Sequence, residues 1–144
     1  MDASAAEAYF HQQMPLTKAM GLRVESCDAD HIELSAPLEL NHNHLGTAFG
    51  GSLAALATSA GYGMLWTILQ DPSFHLVIRN SSLTYHRPVR GPIRAICRRP
   101  DEAPLAEFQS TLAAKGRARI DCEVHIEENG ERALTFIGTF VAIR

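Results

Sequence analysis

The residue types able to do chemistry concentrate in one stretch, Asn41-His42-Asn43-His44-Leu45-Gly46-Thr47-Ala48-Phe49-Gly50-Gly51-Ser52-Leu53. A polar loop runs there into paired glycines that open a long apolar segment. If that segment is a helix, its first N–H groups have no intrahelical partner, and the positive end of its dipole faces whatever lies in front. Such a terminus suits the oxyanion that develops on an acyl carbonyl under attack. Gly50 and Gly51 carry no side chain, so a carbonyl can approach the backbone closely. The same glycines also suit tight helix packing, and both readings stand at this point. Thr58 follows Gly51 by seven residues, two helical turns, and therefore shares its face. Its hydroxyl can hydrogen-bond a water or its own backbone, but it is no general base at neutral pH. Asn43 can orient a water or a carbonyl without taking a proton. His42, His44 and His86 are the candidates for a base, histidine being the residue type whose charge changes near neutrality, and Asn80 is a further polar candidate.

Other chemistries lack their residues. His42 and His44 stand two apart with no Cys or carboxylate at ligand spacing, so no metal site is expected. Gly50-Gly51-Ser52-Leu53 lacks the GxSxG elbow and no strand runs directly into it, so this stretch lends no support to a Ser-His-Asp hydrolase. There is no phosphate-cradling glycine loop. Cys27, Cys97 and Cys122 form no CxxC pair, and an odd, widely spaced set reads as reduced thiols.

The elements that must position the loop follow from periodicity. Asp2–Met14 reads as a helix stopped by Pro15. Leu22–Ser26 and His31–Leu38 read as a hairpin turning at Asp28-Ala29-Asp30, with Ile32, Leu34, Ala36 and Leu38 on one face. From Leu40 to Gln70 there is no formal charge. About 20 apolar residues would span a bilayer, but the asparagines and histidines at the start and the Ser, Thr and Gly inside make a weak membrane segment. A helix apolar nearly all round is otherwise a buried one, so Gly50–Leu69 reads as a central helix wrapped by the rest. Phe74–His86, Pro92–Arg98, Arg117–Glu127 and Arg132–Ile143 read as strands, the last two joined by Asn129-Gly130, a strong hairpin signal. Pro104–Lys115 reads as a short helix capped by Gly116. The result is an α+β layer fold, a mostly antiparallel sheet curled around one helix. The last strands are expected to leave an open edge, which pairing of two copies through the sheet would close.

With 144 residues and 46% hydrophobic content, the chain has the size of one domain, 1–144, able to bury a core unaided. A net charge of −3 argues against a surface built for nucleic acid. The charge is nevertheless uneven: Arg87–Arg119 holds eight basic and three acidic residues, so a local anionic ligand remains open beside simple solvation of strand faces. Met1–Tyr9 lacks the basic flank and apolar run of a secretory signal, so a cytoplasmic location is expected.

These motifs resemble those of the hotdog-fold acyl-CoA thioesterases. The pattern Asn-x-x-Gly-Thr-x-His-Gly-Gly-x-x-x-x-Leu-x-Asp is represented by Asn43, Gly46, Thr47, Gly50, Gly51 and Leu56. Leu83-Thr84-Tyr85-His86-Arg87-Pro88-Val89-Arg90-Gly91 is similar to the family's strand into an Arg-Pro-Val turn, and Gly138-Thr139-Phe140 to its last strand. More narrowly, Gly46–Leu53, Gly61–Trp66 and Gly116–Ile120 resemble the thioesterase domain often found behind an acetyltransferase domain in bacterial proteins; no acetyltransferase domain is present in this chain. The resemblance implies five or six antiparallel strands around the helix, a homodimer with joined sheets, and acyl-CoA sites at the dimer interface. It leaves a further pairing of dimers open and implies neither membrane nor nucleic-acid partners.

Hydrolysis of an acyl-CoA or acyl-carrier thioester is the reaction implied, with no cofactor and CoA only as part of the substrate. In the implied roles the N–H of Gly51, helped by Gly50, polarises the carbonyl, Asn43 and Thr58 orient water or substrate, and Phe49, Leu53 and Tyr62 contact the acyl chain. Asn80, on the strand before Tyr85, is a further polar group expected to face the site, and Arg90 or Arg117, with Arg94, Lys115 and Arg119 as alternatives, is expected to meet the CoA phosphates. Two departures stand out: Phe49 replaces the family's His before Gly-Gly, and Thr58 replaces its acidic residue. A binding module without turnover and an enoyl-thioester hydratase or dehydratase are the alternatives.

Overall fold

A computed structural model describes residues 2–144. Its elements are α1 (Ala3–Gln13), α2 (Pro15–Ala19), β1 (Arg23–Cys27), β2 (His31–Ala36), a 3-10 turn over Leu38–Leu40, α3 (Gly50–Leu69), β3 (His75–Tyr85), β4 (Ile93–Arg98), α4 (Glu102–Lys115), β5 (Arg117–Glu128) and β6 (Glu131–Ile143). The strands form one six-stranded antiparallel sheet in the order β1-β2-β4-β5-β6-β3.

Local chemistry sets the boundaries. Asp2 caps α1 by accepting from the Ala5 N–H at 2.8 Å. Pro15 cannot continue that helix but starts α2 at its first position, where its missing N–H costs nothing. Gly116 ends α4 with φ +69°, the left-handed region that favours glycine. Asn129 and Gly130 both take positive φ, the backbone a two-residue hairpin needs to follow the twist of β5 and β6.

The sheet wraps α3. Along β5, Ala118, Ile120, Cys122, Val124 and Ile126 are buried while Arg117, Arg119, Asp121 and Glu123 are exposed, so the strand turns one face to the helix and the other to water. Leu56, Ala57, Ala60, Met64 and Leu65 of α3 have no exposure and meet Ile32, Leu34, Phe136 and Phe140 in one core. Where side chains must come closest, α3 has glycine: a Cβ on Gly61 would lie 2.7 Å from the Phe140 ring, and one on Gly63 2.7 Å from Ile32 Cδ1. The uncharged run is thus a helix enclosed by strands on one side and by α1 on another, where Tyr9 stacks on Trp66 at 4.0 Å and Phe10 meets Tyr62 edge-on.

One feature differs from expectation. The last two strands do not form the sheet's edge; β5 and β6 lie inside it, and the edges are β1 and β3. The 13-residue β6 is long enough to hold β5 on one side and β3 on the other, a pairing that hydrophobic period cannot reveal. In addition, β4 covers only the far half of β5, pairing with residues 124–126, and α4 lies against β5. Leu105, Phe108 and Leu112 of α4 join the core there.

Candidate active site

The loop leading into α3 is organised by its own amides. The Asn43 N–H donates to Thr47 O at 2.7 Å, its Nδ2 donates to Thr47 Oγ1 at 2.9 Å, and its Oδ1 accepts from the N–H of Leu45 at 2.8 Å and of Thr47 at 3.2 Å. Gly46, at φ +79°, closes the turn with its N–H on Asn43 O. Two further backbone bonds aim the chain at α3: the Ala48 N–H donates to Val89 O at 2.8 Å, and the Phe49 N–H to Asn41 O at 2.7 Å. The Gly-Thr-Ala and Arg-Pro-Val motifs, about forty residues apart in sequence, are therefore two sides of one contact. Val89 is fully buried beneath it.

Asn41 is the residue whose importance sequence reasoning missed. It is 3% exposed, and its Nδ2 donates to Met20 O at 2.8 Å and Pro37 O at 2.7 Å, pinning the loop to the α2–β1 corner. One asparagine among two histidines and a second asparagine carries no mark of which is buried.

Helix α3 then begins with Phe49 as N-cap, in extended backbone and with no side-chain bond to the helix. The first intrahelical bond runs from the Leu53 N–H to Phe49 O. The N–H groups of Gly50, Gly51 and Ser52 precede it and are the unpaired donors of the first turn. Two aromatic side chains flank them. The Phe49 ring lies so close to Gly51 that a Cβ there would meet it at 2.5 Å, yet Phe49 stays 56% exposed. On the other side the Tyr85 hydroxyl donates to Gly50 O at 3.1 Å. That carbonyl belongs to the same peptide unit as the Gly51 N–H, so the tyrosine bond polarises the peptide and strengthens its donor. Tyr85 ends β3, the open edge strand, and is itself 52% exposed.

Other expected site residues lie at graded distances from this tip. Leu53 is 4% exposed, within the core. Thr58 is half-buried two turns down, its hydroxyl donating to Ala54 O at 2.8 Å. Tyr62 is one turn further, its hydroxyl 3.1 Å from that of Tyr9; burial, then the Tyr9 bond, pushes its ionisation well above the usual tyrosine range. Asn80 and Arg117 share a broad trough on the outer face of the sheet, the face turned away from α3, together with Arg79, Arg98, Arg119 and Lys115. Arg117 faces Ile143 on β6, whereas Tyr85 faces Leu134, a separation of nine strand residues or about 30 Å. Within one protomer Arg117 and the helix tip are thus at opposite ends of the sheet. Arg90 sits beside the β5–β6 turn, its backbone N–H and that of Gly91 held by the Glu128 carboxylate. Arg94 is paired with Glu33 at 2.5 Å. His42 is bonded to Asn43 O through Nδ1, His86 to Thr135 Oγ1 through Nε2, and His44 is exposed.

One long helix enclosed by an antiparallel sheet, with a glycine-rich tip beside an open edge strand, defines a hotdog-fold thioesterase-like domain. Residues 3–144 match the model of the family described as putative thioesterase, YiiD C-terminal type, and the chain belongs to that family. Among solved structures it is similar to a Chlorobaculum tepidum protein of unknown function, at 35% identity and a TM-score of 0.91, over 99% of this chain and 94% of that one. It is also similar to a putative thioesterase from Shewanella oneidensis, at 24% identity and a TM-score of 0.86, over 99% and 97% of the two chains. A Pseudomonas aeruginosa protein described as a probable thioesterase matches at 23% identity and a TM-score of 0.84, over 99% and 96%. At these lower identities the likeness is one of fold.

Proposed function

We propose that the chain hydrolyses acyl thioesters, acyl-CoA or an acyl carrier, at the N-terminus of α3. The observation that carries this reading is the Gly50–Gly51 peptide: uncapped, without side chains, and polarised from behind by Tyr85. A thioester oxygen set against the Gly51 N–H would gain a bond that strengthens as negative charge develops on it. The attacking water would then add to the carbonyl carbon and the C–S bond would break, releasing acid and thiol. The proposed assembly is a homodimer joined along β3, since that strand offers an unpaired edge with Val77 and Ile78 exposed and ends beside the helix tip. Three free thiols fit the reducing cytoplasm. Water is the only co-reactant this hydrolysis needs.

A second reading, a binding module that holds the thioester without turnover, is favoured by the polar groups nearest in sequence. Both Asn43 amide groups bond within the loop, and the Thr58 hydroxyl is given to Ala54, so neither is committed to a water. The two readings separate when the protein is incubated with acyl-CoAs of graded chain length and free thiol is followed. Turnover that falls at least about tenfold in Gly51→Ala, whose methyl would displace the Phe49 ring, supports hydrolysis at the tip. Saturable binding with no thiol above background supports the module. Loss of an enoyl double bond without thiol release would show the hydratase chemistry instead.

A further inference from the structure

The β1–β2 hairpin, far from the loop that feeds α3, holds a second set of reactive groups. Ser26 Oγ lies 2.9 Å from His31 Nε2, and His31 Nδ1 lies 3.0 Å from Asp28 Oδ1. The protonation pattern follows from what each atom can do. An ionised carboxylate only accepts, so Nδ1 must carry the proton, and the neutral ring then leaves Nε2 as an acceptor. With the ring in that neutral form, Ser26 donates its O–H to His31. Asp28 is fixed in turn, because the same Oδ1 accepts from the backbone N–H of Asp30 at 2.8 Å and of His31 at 3.0 Å. Those bonds, that from Asp30 above all, hold its carboxyl below the usual carboxylate range, so it stays anionic.

The backbone beside Ser26 supplies a donor. Asp28 N–H bonds to His31 O and closes the hairpin. Cys27 faces Ile32 one position further along, and in an antiparallel ladder that alternate pair exchanges no bonds. The Cys27 N–H therefore points away from β2, toward the outer edge of β1, the end strand of the sheet. It belongs to the residue that follows the serine, the position from which an acyl oxyanion is met in serine hydrolases of other architecture. The ladder slips between Val24 and Ser26, and such an irregularity re-aims the side chains that follow it. Ser26 and the His31 side chain are partly exposed, and Asp28 more so, so a small acyl donor can reach all three.

We propose that Ser26, His31 and Asp28 form a nucleophile, base and orienting group that take an acyl group from small activated esters or thioesters, independently of the α3 tip. Ser26 Oγ adds to the carbonyl carbon while its proton passes to His31 Nε2 and the carbonyl π pair moves to oxygen, facing the Cys27 N–H. Collapse breaks the bond to the leaving group, which departs with the proton from His31 as alcohol or thiol. The acyl-Ser26 ester remains until a water, deprotonated by His31, adds in the same way and releases the acid and the free serine.

The full-length protein should be treated with a fluorophosphonate probe and, separately, with p-nitrophenyl acetate, and adducts mapped by peptide mass spectrometry. The expected result is a dominant adduct on Ser26 that is absent in Ser26→Ala and forms at least about a hundredfold more slowly in His31→Gln, the lower end of what a general base contributes. Unchanged thermal melting of both variants shows that the hairpin is intact, and Asp28→Asn, which removes the charge and keeps the side chain's shape, should slow labelling in the same direction. Labelling at Ser26 that survives Gly51→Ala, whatever that variant does to thiol release, separates this site from the helix tip. Adducts spread over other residues with Ser26 unmodified, or a His31→Gln protein labelled as fast as wild type, would overturn the proposal.

Discussion

Tyr85 makes one hydrogen bond to α3, from its hydroxyl to Gly50 O. The ring also lies 3.6 Å from where a Gly50 Cβ would be, so removing the hydroxyl alone leaves the packing in place. Tyr85→Phe is expected to lower kcat about three- to tenfold with little change in KM, since the lost polarisation matters most when charge develops on the substrate oxygen. Steady-state thiol release checks the split, and a shift of the Gly51 amide proton in NMR checks its origin. Nothing in the sequence marks this contact, because a tyrosine closing a strand and a glycine opening a helix are ordinary by themselves. The glycine pair was legible because a helix start needs no side chain to be reactive. The engagement of the Asn43 side chain within its own loop was not, because which partner an amide takes is decided by turns that period and propensity do not specify.

At the scale of elements, α3 is held by shape more than by propensity. Gly61→Ala would gain about 1 kcal/mol of helix propensity, but its methyl would meet the buried Phe140 ring at 2.7 Å. Overpacking of this kind costs about 1–3 kcal/mol, so the variant is expected to be the less stable, with a melting temperature lower by a few degrees in calorimetry. The span of α3, Gly50–Leu69, was readable from its lack of charge and its glycine start, and β5 from strict alternation between Arg119 and Glu127. The order of the strands was not readable. Period says which face of a strand is buried and says nothing of which neighbour lies beside it, and so β3 rather than the terminal pair became the edge.

For the whole molecule, two outcomes test how the sheet behaves in solution. Placing lysine on the open strand should set like charges against each other across a symmetric β3–β3 contact. Ile78→Lys is accordingly expected to shift sedimentation from two copies to one while the far-ultraviolet circular dichroism is unchanged. The second outcome concerns acid. Burial holds the His125 imidazole below its ordinary 6.5, Arg132 pushes the same way, and Glu127 opposes both. Because the folded chain binds that proton less readily than the unfolded one, stability is full above about pH 6.5 and is lost as the pH falls toward the depressed folded value. His125→Gln should flatten the fall in melting temperature between about pH 7 and pH 5. Asp28, also depressed, adds a loss in the same direction at lower pH, below its ordinary 3.8.

The place of β6 between β5 and β3 also governs how the chain can come together during synthesis. The seam of the sheet leaves the ribosome only after the greasy rod it must cover has emerged. Until residues 131–143 are free, β3 has no strand to pair with and α3 stays partly bare, so a nascent chain should bind holdase chaperones. Release should come in one late, cooperative step rather than strand by strand.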